Sequence, residues 1–378
     1  MLRLPDRRRR GWLFLAALAG CLVIGLGLVG LAAGGLNATE QRPADEPAVI
    51  AAARAEAHVF VRHAGFGDRF GRIGVAALGR PSGQAALTGL NCARFHFAAG
   101  RGVCLTAEPG IFAVYRAQLL DANLAVVADR QLAGIPSRAR MSRDGRYAAT
   151  TVFVTGHSYA GGTFSTQTLI LDAETGELVA DLEDFSVSRE GQPMRDIDFN
   201  FWGVTFSDSS NIFYATLGTG GQAHLVRGDL ASRSFEVLAE NVECPSLSPD
   251  GTRIAFKRRV EGSGEGLPVW RLHVLDVATL TVRPLGNEER NIDDQLEWLD
   301  NQSVLYAVED PAALVADVWR SPSRVACRQS SSPVRSHPPS LRRRATDRRQ
   351  PSRPWCLPAS SAASASSGSQ SSANSNSQ

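Results

Sequence analysis

The residue types able to do chemistry are all present in this chain, but their spacing brings few of them together. Gly156-His157-Ser158-Tyr159-Ala160, inside "TGHSYAGG", resembles a nucleophile elbow. It lacks the closing glycine and no helix succeeds it, so Ser-His-Asp catalysis is not expected. The seven histidines are scattered at positions 58, 63, 96, 157, 224, 273 and 337. His58 and His63 stand five apart, which is wrong for one helix face. His96, His224 and His273 lie in strand-like stretches, where a satisfied sheet histidine is the commoner role. Neither a C-x-x-C nor a histidine pair near a cysteine offers a zinc site. Asp196, Asp198 and Asn200 alternate in "DIDFNFWGVTF", but the glycine and later glutamate of a calcium loop are missing, so a polar strand face is the plainer reading. "GTGGQ" at 218–222 is a flexible turn; a phosphate loop needs a helix after it and Lys-Ser/Thr. No catalytic residue, cofactor or metal ligand is assigned, and the chain reads as a non-enzyme.

Cysteines say more. Cys92 and Cys104 flank "ARFHFAAGRGV", which reads as two strands around the turn Ala98-Ala99-Gly100. A hairpin brings the two thiols near one another, and an oxidising compartment lets them bond. Two buried free thiols are the alternative.

An oxidising compartment is what the N-terminus implies. Arg7 to Arg10 precede a run uncharged from Gly11 to Gly35. Residues 12–35 are long enough to cross hydrocarbon as a transmembrane signal anchor, leaving 1–11 as a basic cytoplasmic stub and the rest outside the cytoplasm. Leu18-Ala19-Gly20-Cys21 resembles a lipobox, which makes Cys21 a lipidation candidate, although Leu22 to Leu31 stay apolar. Cleavage near Ala32-Ala33 is the third outcome, and all three export the remainder of the chain. The net charge of +2 hides +4 on residues 1–10 and +8 on residues 321–378, so the middle of the chain is strongly acidic. Nucleic acid is therefore not an expected partner.

Beyond the anchor, residues 36–65 read as a polar linker, with a short helix expected in "VIAAARAEAHVFVRH". A folded domain is expected over 66–320. "SLSPDGTRIAF" at 246–256 has relatives in "MSRDGRYAAT", "FSDSSNIFYAT" and "WLDNQSVLYAV", with a degenerate copy in "FAAGRGVCL". Their turn residues are Asp144-Gly145, Ser209-Ser210, Asp250-Gly251 and Asp300-Asn301. Glycine accepts positive φ and aspartate bonds back to nearby amides, so each turn reverses a strand tightly. A second element runs in phase: "TLILDAETGELVADL", "HLVRGDLASRSFEVL", "RLHVLDVATLTVRPL" and, more weakly, "YRAQLLDANLAVVAD". Each is a strand ending in aspartate, a turn and another strand. About four strands per unit of 40–50 residues is the period of a propeller blade. The expected fold class is all-β: a β-propeller of about six four-stranded blades, the last incomplete, after the transmembrane helix.

"SPDGTRIAF" with "LHVLDVATLTVRPL" resembles the WD40-like repeat of TolB-type β-propellers, and the likeness runs through residues 72–320. The arrangement of anchor and repeats is similar to membrane-anchored TolB-like proteins of high-GC Gram-positive bacteria. That resemblance implies six blades used mainly for protein contacts outside the cytoplasm. The separate α/β domain of TolB has no counterpart in residues 36–71. "GRIGVAALGRPSGQAALTGL" at 71–90 is expected to supply outer strands completing the last blade. "SREGQPMRDIDFNFWG" at 188–203 reads as a long loop, with Phe199, Phe201 and Trp202 available for contacts or for the core.

Val269-Trp270-Arg271 recurs as Val318-Trp319-Arg320, after which the pattern stops. Residues 321–378 carry nine arginines and one aspartate among Ser, Pro and Ala, the composition of disordered chain. A natural basic tail for an anionic polymer and the out-of-frame product of a GC-rich gene both fit; the second is preferred. Function then reads as a membrane-tethered extracytoplasmic scaffold whose partner is an envelope protein or cell-wall polymer. The alternative is a ligand or enzymatic site in the central channel, which a channel-facing cluster of carboxylates with a histidine would favour.

Overall fold

The computed structural model describes residues 43–65, 67–79, 85–108, 110, 113–154, 165–260, 268–286, 288–310, 315–323 and 364–366. The candidate anchor, Cys21, "TGHSYAGG", His157 and His337 lie outside them. Among the described residues no helix is long and apolar enough to cross a membrane.

Helix α1 (Pro47–Ala55) opens on a proline, whose fixed φ suits a first turn, and lays Ile50 and Ala53 on a buried cluster. The next element is a strand, although it falls in the stretch read as linker. β1 (His58–Arg62) is buried at every position, so it lacks the in-out alternation by which strands are read. It pairs antiparallel with β2 (Arg72–Ala77), which pairs with β3 (Ala86–Asn91). The second sheet is β4 (Arg94–Ala98), β5 (Arg101–Glu108), β6 (Val114–Leu120) and β7 (Val126–Leu132). The third is β8 (Ile135–Met141), β9 (Tyr147–Val154), β10 (Ser165–Asp172) and β11 (Leu178–Asp181).

The supposed long loop at 188–203 is mostly sheet. β12 (Ser186–Arg189) and β13 (Gln192–Met194) form a hairpin, and β12 runs parallel to the outer strand of the fourth blade. That blade is β14 (Asn200–Phe206), β15 (Ile212–Thr219), β16 (Gln222–Asp229) and β17 (Ser234–Glu240). The fifth holds β18 (Glu243–Leu247), β19 (Arg253–Val260), β20 (Val269–Asp276) and β21 (Val282–Pro284). The sixth has three strands, β22 (Glu297–Asp300), β23 (Ser303–Asp310) and β24 (Val315–Pro322). The repeated Val-Trp-Arg motif is the third strand of each of these last two blades.

Two expectations are corrected. The hairpin at 71–90 does not join the sixth blade: its β2 is paired to β1 from His58↔Ala77 to Arg62↔Ile73, in a sheet of its own. Nor is the tail without a strand. β25 (Ser364–Ser366) lies antiparallel against the other side of β1. Pairing at an open edge uses backbone amides and carbonyls, so a Ser/Ala composition does not prevent it.

Apolar faces of successive sheets meet in six buried clusters. The richest, between the third and fourth sheets, contains Phe185, Phe201, Phe206, Phe213 and Phe235, with Phe201 stacked on Phe235 at 4.7 Å. Between the last sheet and the first the buried cluster, among the described residues, is Val59, Val61, Ala85 and Leu305, with Ala76, Leu299 and Val318 packed against it half-buried. Each large apolar side chain so buried contributes about 1.5–3 kcal/mol, so among the described residues this seam has the smallest apolar cluster.

Candidate functional site

β25, β4, β8, β14, β18 and β22 pack edge to edge in that order, and β22 returns to β25. The innermost strands therefore make a closed ring around a central channel. The chain is a six-bladed β-propeller.

One end of the channel is built by the turn residues read from the sequence. In the β8–β9 turn Ser142 Oγ donates to Asp144 Oδ1 at 2.6 Å, Arg146 N donates to the same oxygen at 3.0 Å, and Gly145 takes φ +74°. The β18–β19 turn repeats this with Ser248, Asp250, Thr252 and Gly251 at φ +70°. In the β14–β15 turn Ser210 adopts φ +53° in place of glycine, and Ser209 meets Ser207 at 3.1 Å. Asp300-Asn301 begin a shorter turn, where Asn301 Oδ1 accepts Asp250 N at 2.9 Å. Arg143 ties these turns together. It donates to Asp208 at 2.9 Å, to the carbonyls of Leu247 at 2.8 Å and Pro249 at 2.6 Å, and to that of Ser248. It thus reaches from the third blade past the fourth to the fifth. Asp172, Asp229 and Asp276, the aspartates of the second repeat element, each accept two backbone amides across the turn to the outer strand. All these repeat residues are structural.

Halfway along, three blades are bridged across the channel. Arg140 on β8 is ion-paired with Glu297 on β22 and donates to Leu296 O at 3.3 Å. His96 on β4 joins them. Its Nδ1 accepts Met141 N at 3.0 Å, and its Nε2 lies 3.0 Å from Arg140 Nη1 and 3.4 Å from Glu297 Oε2. Burial, then the charge of Arg140, holds the His96 pKa below the ordinary value. Burial alone would raise that of Glu297, but the Arg140 charge and the hydrogen bond from His96 bring it below the usual carboxylate range. This cluster was missed in the sequence because its members are 44 and 157 residues apart.

Toward the other mouth stand Arg94 and Arg138, half-buried on β4 and β8, with Arg62 behind them. Lys257, buried, lies over the Trp270 ring at 4.4 Å and pairs with Asp293 and, at 3.5 Å, with Glu243. Trp270 Nε1 donates to Glu243 at 2.9 Å. Buried Asp294 accepts Ala307 N at 3.1 Å and Gln295 N at 2.8 Å; burial raises its pKa against the pull of Arg138. Cys244 is a buried free thiol beside Arg138, on a backbone at φ +51°. The backbone of β14 comes so close there that a Cβ on Gly203 would sit 2.8 Å from Cys244 Cα.

Cys92 and Cys104 form a disulfide, with Cα atoms 5.4 Å apart, and it joins the first blade to the second inside the Phe60–Phe95–Phe97 cluster. Asp198 receives Thr219 Oγ1 at 2.5 Å and Gly220 N at 2.8 Å, so it holds a turn in place. Among the described residues no group of His, Cys, Asp or Glu has metal-binding geometry.

TolB from Acinetobacter baumannii aligns with this chain at 15% identity and TM-score 0.48, covering 70% of this chain and 60% of its own length. The β-propeller domain of the trilobed protease from Pyrococcus furiosus aligns at 10% identity and TM-score 0.36, over 60% and 67%. Kuenenia stuttgartiensis hydrazine synthase aligns at 13% identity and TM-score 0.41, over 67% and 71%. The chain thus spans about three-fifths of the TolB structure. No protein-family model matches the sequence, and no curated protein does.

Proposed function

We propose that the chain is a membrane-tethered, extracytoplasmic binding propeller that presents the face around its channel mouth to an envelope protein or cell-wall polymer. Residues 12–35 would be the tether, and the propeller would lie outside the cytoplasm. The observation that carries the non-enzymatic reading is the state of His96. Both ring nitrogens are occupied, Nδ1 by Met141 N at 3.0 Å and Nε2 by Arg140 Nη1 at 3.0 Å with Glu297 Oε2 at 3.4 Å, so neither is open to a substrate. General acid–base work needs a titrating group within reach of a reacting atom, and this one is locked into cross-channel packing.

The second reading, a ligand or enzymatic site in the channel, is favoured by the same cluster, which does bring a carboxylate and a histidine together. The two readings separate in one experiment. Full-length protein fused at its C-terminus to a labelling peroxidase should biotinylate envelope proteins in intact cells. Recovery of no envelope protein above background would sink the scaffold reading and leave the channel.

A further inference from the structure

We propose that the channel mouth away from the inter-strand turns binds a small oxyanion, a carboxylate or phosphate group, between the guanidiniums of Arg94 and Arg138. This goes beyond the scaffold reading and needs no protein partner.

The two side chains converge on one atom. Arg94 Nε and Arg138 Nη1 both donate to the carbonyl oxygen of Ser137, at 2.5 Å and 2.8 Å. Two cations are thereby held closer than the sum of those distances, although like charges repel. Among the described residues neither has a carboxylate within 4.0 Å. The acidic groups at this mouth make their direct contacts elsewhere, Asp293 and Glu243 with Lys257 and Asp294 with two backbone amides, although the charge of Asp294 is felt by both arginines. Arg138 Nε is buried and has no hydrogen-bond partner. Burial first, then the charges of Arg138 and Arg62, lowers the Arg94 pKa to about 10 against the opposing pull of Asp294.

Each guanidinium is a planar fork that matches the two oxygens of a carboxylate or the edge of a phosphate, and both residues are partly exposed, Arg94 Nη1 also donating to Ala93 O at 2.9 Å. An oxyanion there would cancel the repulsion and give Arg138 Nε an acceptor.

The test is calorimetric titration of the full-length protein in detergent with sodium phosphate and, separately, sodium succinate, at ionic strength held constant with sodium chloride. Saturable binding of at least one anion is expected, and the stronger of the two names the ligand class. Arg94→Gln and Arg138→Gln should each weaken it at least ten-fold. Arg138→Lys, which keeps the charge and loses the fork, should weaken it as well if the glutamine variant does not fold. Arg189→Gln, at a surface pair with Glu240, should leave binding unchanged. Absence of saturable binding by either anion, or equal affinity in the Arg94 and Arg138 variants, would overturn the proposal without touching the labelling result.

Discussion

Glu297→Gln should destabilise the propeller far more than a surface change, because it strands a buried cation. The side chains of Arg140 and Glu297 are 8% and 17% exposed, and they join blades that are not neighbours in the ring. Removing one partner of a buried pair typically costs about 3–5 kcal/mol, since the other charge is left without compensation. Arg140 keeps its bond to Leu296 O, which places the expectation near the lower end, about 3 kcal/mol. For a domain of this size that corresponds to a fall of about 5 °C in Tm. The double variant Arg140→Met/Glu297→Gln removes both charges and should recover at least half of the loss, a coupling of about 1.5 kcal/mol or more against Arg140→Met and Glu297→Gln alone. Urea denaturation tracked by tryptophan fluorescence measures this directly, because Trp298 is the next residue and is buried against Ser246 O at 2.8 Å. A single-variant loss under about 1 kcal/mol, or a double variant equal to the sum of the singles, would show that the bridge does not hold the channel together.

Reduction of the Cys92–Cys104 bridge, or Cys92→Ala with Cys104→Ala, should cost about 3 kcal/mol from a loop of 12 residues' separation, and urea midpoints with and without reductant check it. The loss should appear first as faster amide exchange in β1–β3, because the other seam of that blade buries four small or aliphatic side chains among the described residues. Equal exchange in β1–β3 and β9–β10 of the reduced protein would contradict this. His63 is 2% exposed, neither ring nitrogen has a hydrogen-bond partner among the described residues, and burial with Arg69, Arg62 and Arg72 lowers its pKa to about 4. The unfolded chain takes up that proton first, so stability should fall as pH drops from about 6.5 to 4, by at most about 3 kcal/mol, and level off below. His63→Leu should show a shallower acid slope in urea midpoints between pH 7 and 4.5; an unchanged slope assigns the loss to other groups.

Local chemistry made much of this fold legible in the chain. The Asp-Gly turns and the Asp-ended strands each satisfy their own backbone amides within five residues, so their residue types show directly in the sequence, and repetition turned them into blades. The pairing of Cys92 with Cys104 was legible for the same reason: one hairpin brings them together. What lay beyond reach was whatever depends on the ring. β1 looked like linker because a strand buried on both faces has no alternation, and β25 carries no side-chain signal because edge pairing is made by backbone. The His96–Arg140–Glu297 bridge and the Arg94–Arg138 fork join residues that are ordinary where they stand. Only the closing of six sheets about an axis sets those charges facing one another, since a channel is a property of the circle and no single blade contains it.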